Sequence, residues 1–207
     1  APRRVAATPG APPALVAGVA AGAAAAAPSL RAAARSSALA LAVIASGDPE
    51  LARCVAETPG ALPALIATLA AGRAAAAPSL QGAAANSAMA LAQIASAGPG
   101  LARCVVAAPR VLETLVAAMT GTASANASLQ LMATNSALAV VMIAEADPEL
   151  ARQVAHVPGT LAALLAATAV GAAALANSLQ QEAARCSAAA LAIMLKSDPG
   201  VKRRMAE

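Results

Sequence analysis

The chain has 207 residues, 59% of them hydrophobic and 12% charged, with no Phe, Tyr or Trp and a net charge of +4. That hydrophobicity excludes disorder. The missing aromatics speak against a β-sandwich or barrel and exclude base-stacking platforms and aromatic cages. About a third of the residues are Ala, the best helix former, which predicts an all-helical protein.

Taken from the N-terminus, Ala1 to Ala7 read as the end of a short helix. A signal peptide is not expected, because the apolar stretch after Arg3 and Arg4 is broken by Pro9, Gly10, Pro12 and Pro13. From there one unit recurs. Leu51–Val55 (LARCV) returns as Leu101–Val105 and, degraded, as Leu150–Val154. Pro28-Ser29-Leu30 returns at Pro78, Ala127 and Asn177. The period is about 50 residues, which marks a repeat array. It divides one solenoid over 1–207 into repeats at approximately 1–47, 48–97, 98–146 and 147–197, with 198–207 opening a fifth.

Each unit predicts three helices. The first starts at Asp48-Pro49 and its counterparts Asp147-Pro148 and Asp198-Pro199, with Asp as N-cap and Pro at the first helical position. It ends near Thr58-Pro59, where proline interrupts the ladder; Pro9, Pro109 and Pro158 share that phase. The second runs from about Ala61 to Ala71, with Gly72 as its C-terminal glycine. The third runs from about Leu80 to Ser96, N-capped by Ser79 as by Ser29, Ser128 and Ser178, with a capping box from Ser178 to Gln181. Its stripe of Leu80, Ala84, Ser87, Leu91 and Ile94 faces the core. Ser87, in phase with Ser37, Ser136 and Ser187, reads as a small packing residue whose hydroxyl bonds the carbonyl one turn back. The residues from Val201 to Glu207 match most of another first helix. Neither end offers a polar cap, so the array is expected to continue or to be covered by another chain.

Gly60–Ile66 (GALPALI), followed by Ala90–Ala95 (ALAQIA) and Gly98-Pro99, resembles an armadillo repeat, and the resemblance covers the whole chain. It implies an all-α, right-handed α-solenoid of about four three-helix armadillo-like repeats. Units of that family are usually about 42 residues long, and the extra length falls in the Ala-rich link before the third helix. It also implies a concave face lined by third helices that binds extended peptides. The family's peptide-binding Asn aligns with Val43, Gln93, Met142 and Ile193, and its Trp with Leu39, Met89, Leu138 and Ala189. The Asn–Trp ladder is absent. An apolar strip remains, with Arg35 and Arg185 toward its ends.

Chemistry finds little footing. The one histidine, His156, removes His-rich zinc sites and reads as a surface residue. Phosphate loops, paired carboxylates and C-x-x-C are absent. No catalytic residue, cofactor or metal ion is expected. Cys54, Cys104 and Cys186 do not form a disulfide framework, which points to a reducing intracellular compartment, the cytoplasm or a cytoskeletal or ciliary assembly. The uncharged stretch from Thr114 to Ala144 carries too many polar residues to read as a membrane span. Two binding readings follow. One is a non-enzymatic scaffold, a subunit of a larger assembly, that holds a protein partner in the apolar groove. The alternative is an electrostatic binder of nucleic acid or acidic tails through Arg3, Arg53, Arg103, Arg152 and Arg203, which share one phase of the first helix. Local pairs such as Glu50–Arg53 and Glu149–Arg152 argue for a merely solvated face.

Overall fold

The computed structural model describes residues 10–173 and 176–206, with side chains to Met205. The readings at Arg3 and over Ala1–Ala7 lie outside the described residues. Among the described residues there are helices and turns and no strand. Helices α1 (Ala11–Ala23) and α2 (Pro28–Ala45) come first. They are followed by α3 (Pro49–Glu57), α4 (Ala61–Ala74) and α5 (Pro78–Ser96). Next are α6 (Pro99–Ala107), α7 (Val111–Met119), a 3₁₀ turn (Thr120–Ala123) and α8 (Ala127–Ala146). The series ends with α9 (Pro148–His156), α10 (Thr160–Gly171), α11 (Ser178–Ser197) and α12 (Gly200–Ala206).

The long third helices α2, α5, α8 and α11 pack against one another in chain order. The second helices α1, α4, α7 and α10 form another row packed on them, and the short first helices bridge successive units. Between the rows runs one apolar core. Its fully buried side chains recur in register, as with Ile44, Ile94, Ile143 and Met194 on the third helices and Leu65, Leu115 and Leu164 on the second. A solenoid of this kind draws its stability from neighbouring units. The α8 helix is long and apolar enough to cross a membrane, but two thirds of its apolar window is buried among neighbouring helices.

Two of the first helices begin as the sequence predicts, whereas α12 begins at Gly200, with Pro199 in the turn before it and Asp198 accepting from the Gly200 amide at 2.8 Å. Asp48 caps α3 by accepting from the Leu51 amide at 2.9 Å, and Asp147 caps α9 through the Glu149 amide at 2.8 Å. The third helices begin differently. Pro28 and Pro78 take the first helical position, so Ser29 and Ser79 sit inside the first turn and the caps are Ala27 and Ala77. The φ of proline is already helical and its missing N–H needs no partner there. In the later units asparagine does the capping. Asn126 accepts from the Ser128 amide at 2.9 Å, and Asn177 forms a capping box with Gln180, one residue earlier than Ser178 and Gln181.

Gly72 is not a helix stop either. The α4 helix continues to Ala74, and Gly72 lies inside it against the following third helix. A Cβ at Gly72 would collide with the Ala84 methyl and stand 2.8 Å from the Leu80 carbonyl oxygen. Gly22 meets Ala34 and the Leu30 carbonyl in the same way, and Gly171 meets Ala184 and the Gln180 carbonyl. Glycine sets how closely the second and third helices approach.

The turn from first to second helix is left-handed in each described unit. Gly10, Gly60 and Gly159 hold φ near +80° at that position, and the third unit places Arg110 there, at φ 64°. A side chain costs roughly 1–2 kcal/mol in this region. Arg110→Gly is therefore expected to raise stability by about 1 kcal/mol despite the added freedom of the unfolded chain. Urea denaturation at equal m-value checks this, and a lower midpoint in the variant refutes it.

Candidate partner-binding strip

On the third helices, positions four residues apart face outward together. Leu39 and Val43 on α2 are 51% and 46% exposed, and both have only one third helix beside them among the described residues. Met89 and Gln93 on α5 and Leu138 and Met142 on α8 are half-buried between third helices on both sides, and Ala189 and Ile193 on α11, with one third helix beside them among the described residues, are half-buried too. These positions recur at one phase of the third helices, and of them Leu39 and Val43 are the exposed ones. Gln93 Nε2 donates to Met89 Sδ at 3.6 Å. Arg35 is exposed at one end of the strip and meets no carboxylate among the described residues. Arg185, at the other end, donates to Glu182 at 2.6 Å.

The basic strip is matched by acids. Arg53 pairs with Glu50 at 3.2 Å, and Arg152 with Glu149 at 2.5 Å. Arg103 reaches across to Asp147, the cap of the next first helix. Arg203 is exposed. The Glu149 amide and then the Arg103 guanidinium hold the Asp147 carboxyl below its ordinary value of 3.8. Its contribution to stability is therefore present above pH 3.8 and is lost as pH falls through the lowered folded value. Asp147→Ala is expected to melt below the parent at pH 7, with the gap closing in acid below that window. A gap independent of pH would show that the carboxylate charge does not matter.

The sequence reading missed two rows of polar side chains, mostly amides, that hold the links and join successive units. Arg31 Nε, Gln81 Nε2, Gln130 Nε2 and Gln181 Nε2 each donate back to a link carbonyl, that of Ala25, Ala75, Ser124 and Ala176. The Gln81 and Gln130 oxygens then accept from Asn126 and Asn177 of the following unit, at 3.0 and 2.9 Å. Higher on the third helices, Asn86 Nδ2 donates to the Arg35 carbonyl at 3.0 Å, and Asn135 Nδ2 to the Ala85 carbonyl at 2.8 Å. The available signal was Asn one residue before the phase serine at 86 and 135, and Gln six residues before it at 81, 130 and 181.

That serine behaves as a packing residue. Ser87 and Ser136 donate to the carbonyls of Ala83 and Met132 one turn back, while Ser187 Oγ is buried without a partner. His156 is exposed, with Nδ1 2.7 Å from the Arg152 carbonyl. Cys54, Cys104 and Cys186 are free thiols, and burial pushes the Cys186 thiol up to about 11. No group of acidic, His or Cys side chains among the described residues could hold a metal ion. Two shallow clefts lie between second helices. One of about 440 Å³ includes Val116, Pro158 and Ala162, and one of about 320 Å³ includes Ile66, Pro109 and Arg110. Neither gathers a catalytic set.

No protein-family model matches the chain, and no curated protein matches it in sequence. Solved structures do. An engineered protein is 23% identical with a TM-score of 0.68, over 93% of this chain and 68% of that one. A designed armadillo repeat protein is 21% identical with a TM-score of 0.64, over 89% of this chain and 65% of that one. A computationally designed armadillo repeat protein for modular peptide recognition is 20% identical with a TM-score of 0.68, over 95% and 70%. The likeness in fold, together with the three-helix units described from residue 48 onward and the stacked third helices, makes the chain an armadillo-like α-solenoid.

Proposed function

We propose that the chain is a non-enzymatic interaction scaffold, a structural subunit of a larger assembly, that binds a segment of a partner protein along the third-helix strip. The observation that carries this reading is the line on adjacent helices of exposed Leu39 and Val43, continued by half-buried Met89, Leu138, Met142 and Ile193, which also pack against the core. Apolar side chains left open to solvent, as at the α2 end of this line, are a feature of interaction sites where they form a patch. One structure of similar fold belongs to a protein designed for modular peptide recognition, which agrees with this use of the fold. A reducing intracellular setting suits the three free thiols. The carboxylates beside Arg53, Arg103 and Arg152 weigh against the alternative of nucleic acid or acidic-tail binding.

The test is a phage-displayed peptide library panned on the chain, with selected clones re-measured on two variants. Met89→Glu with Met142→Glu is expected to weaken the clones at least tenfold, about 1.4 kcal/mol. Arg53, Arg103 and Arg152 changed together to Ala is expected to leave them unaltered. Full binding to the folded Glu variant, or loss confined to the arginine variant, would overturn the proposal.

A further inference from the structure

We infer that the occupant of the strip is an amphipathic helix laid across the third helices, with an acidic residue at the end that lies over α2. This rests on the strip being the binding face and adds the chemistry of what binds there.

The first argument is hydrogen-bond capacity. An extended segment brings an unpaired N–H and C=O at nearly every residue, and each needs a partner when buried. The strip offers aliphatic and thioether side chains and a single amide, Gln93. The asparagines of these helices are already committed, Asn86 to the Arg35 carbonyl and Asn135 to the Ala85 carbonyl. An extended backbone pressed onto Leu138, Met142 and Ile193 would leave groups unsatisfied at about 1–3 kcal/mol each. A helix pairs its own backbone internally and needs from a groove only an apolar surface.

The second argument is spacing. Packed helices lie roughly 8–10 Å apart. Seven residues of α-helix rise about 10.5 Å. A helix crossing the row with an apolar residue at every seventh position therefore delivers one anchor to each unit. Met89 and Met142, flexible and polarisable, can mould to such anchors. The third argument is charge. Among the described residues Arg35 stands exposed and without a carboxylate at the α2 end, while Arg185 at the α11 end is neutralised by Glu182. The unmatched positive charge at the α2 end calls for an acidic residue on the partner.

The test uses two displayed libraries on the full chain. One is a helical scaffold with randomised apolar positions seven residues apart. The other is an extended library with prolines between randomised positions. Helical clones are expected to dominate, to carry Asp or Glu near the α2 end, and to weaken at least tenfold with Val43→Glu or Leu138→Glu. Val43 is exposed, so that variant folds even if the Leu138 change does not, and circular dichroism verifies both. Arg35→Ala should weaken acidic clones more than neutral ones. If strip-dependent binders come only from the extended library, the helix is wrong and the proposed binding face stands. If neither library yields strip-dependent binders, both fall.

Discussion

Gly72→Ala is expected to destabilise the chain by about 2 kcal/mol, although alanine is the better helix former by roughly 1 kcal/mol. The reason is the space available. The new methyl would collide with Ala84 and sit 2.8 Å from the Leu80 carbonyl oxygen, a backbone atom that cannot rotate away. Overpacking of this kind costs about 1–3 kcal/mol, occasionally more, and here α4 and α5 would have to move apart. The melting temperature should fall by roughly 4–8 °C for a chain of this size. Gly100→Ala is the control. Gly100 lies in the first turn of α6 with nothing within 4 Å of an added Cβ. The same exchange should there raise stability, by up to about 1 kcal/mol. If Gly72→Ala melts at or above the parent, the close approach of second and third helices does not hold in solution. Gly22 and Gly171, with the same contacts, should follow Gly72.

The same glycine shows where sequence reading stopped. Periodicity located the three helices of each unit, because Leu65, Leu91 and Ile94 recur at helical spacing and are fully buried. Proline and aspartate located the starts of α3 and α9, because capping is decided within a few residues. Gly72 looks the same in sequence whether it ends a helix or admits another, and only the approach of Leu80 and Ala84 separates the two. Ser79 likewise looks like a cap until Pro78 takes the first helical position. The half-exposed face of the third helices was legible because it follows from helix phase alone. The amide rows were not. Asn135 and Ala85 are 50 residues apart, and a single asparagine carries no mark of whether its partner is a neighbouring unit, a ligand or water.

Asn135→Asp is expected to be the most damaging of the isosteric changes on the third helices, and to be so in a pH-dependent way. Asn135 is 4% exposed and donates Nδ2 to the Ala85 carbonyl at 2.8 Å. An ionised aspartate has no donor and would turn a carboxylate oxygen toward that carbonyl. A buried charge left without a partner costs about 3–5 kcal/mol, so near neutrality the variant should lose about 3 kcal/mol. Burial and the facing carbonyl both favour the protonated acid, whose O–H can still donate, so the folded pKa lies above the unfolded value of about 3.9. The sign follows from that. The stabilisation of the protonated form is complete below about pH 4, declines above it, and is gone once pH has risen through the raised folded value. Thermal melts of variant and parent from pH 3 to 8 should therefore diverge with rising pH, and parallel curves would refute the buried donor role. Asn86→Asp should show the same trend more weakly, because Asn86 is only half-buried. The boundary between α8 and α11 should respond least to loss of this row. Cys186 takes the asparagine phase there, and the Thr134 hydroxyl reaches the Leu179 carbonyl at 3.1 Å instead. A graded response along the row would tie the register of the outward strip to the amides beneath it. Leu138 and Met142 ride on the same helix that Asn135 fixes against α5, so a variant that loosens this rung should also blur the spacing a crossing helix has to match.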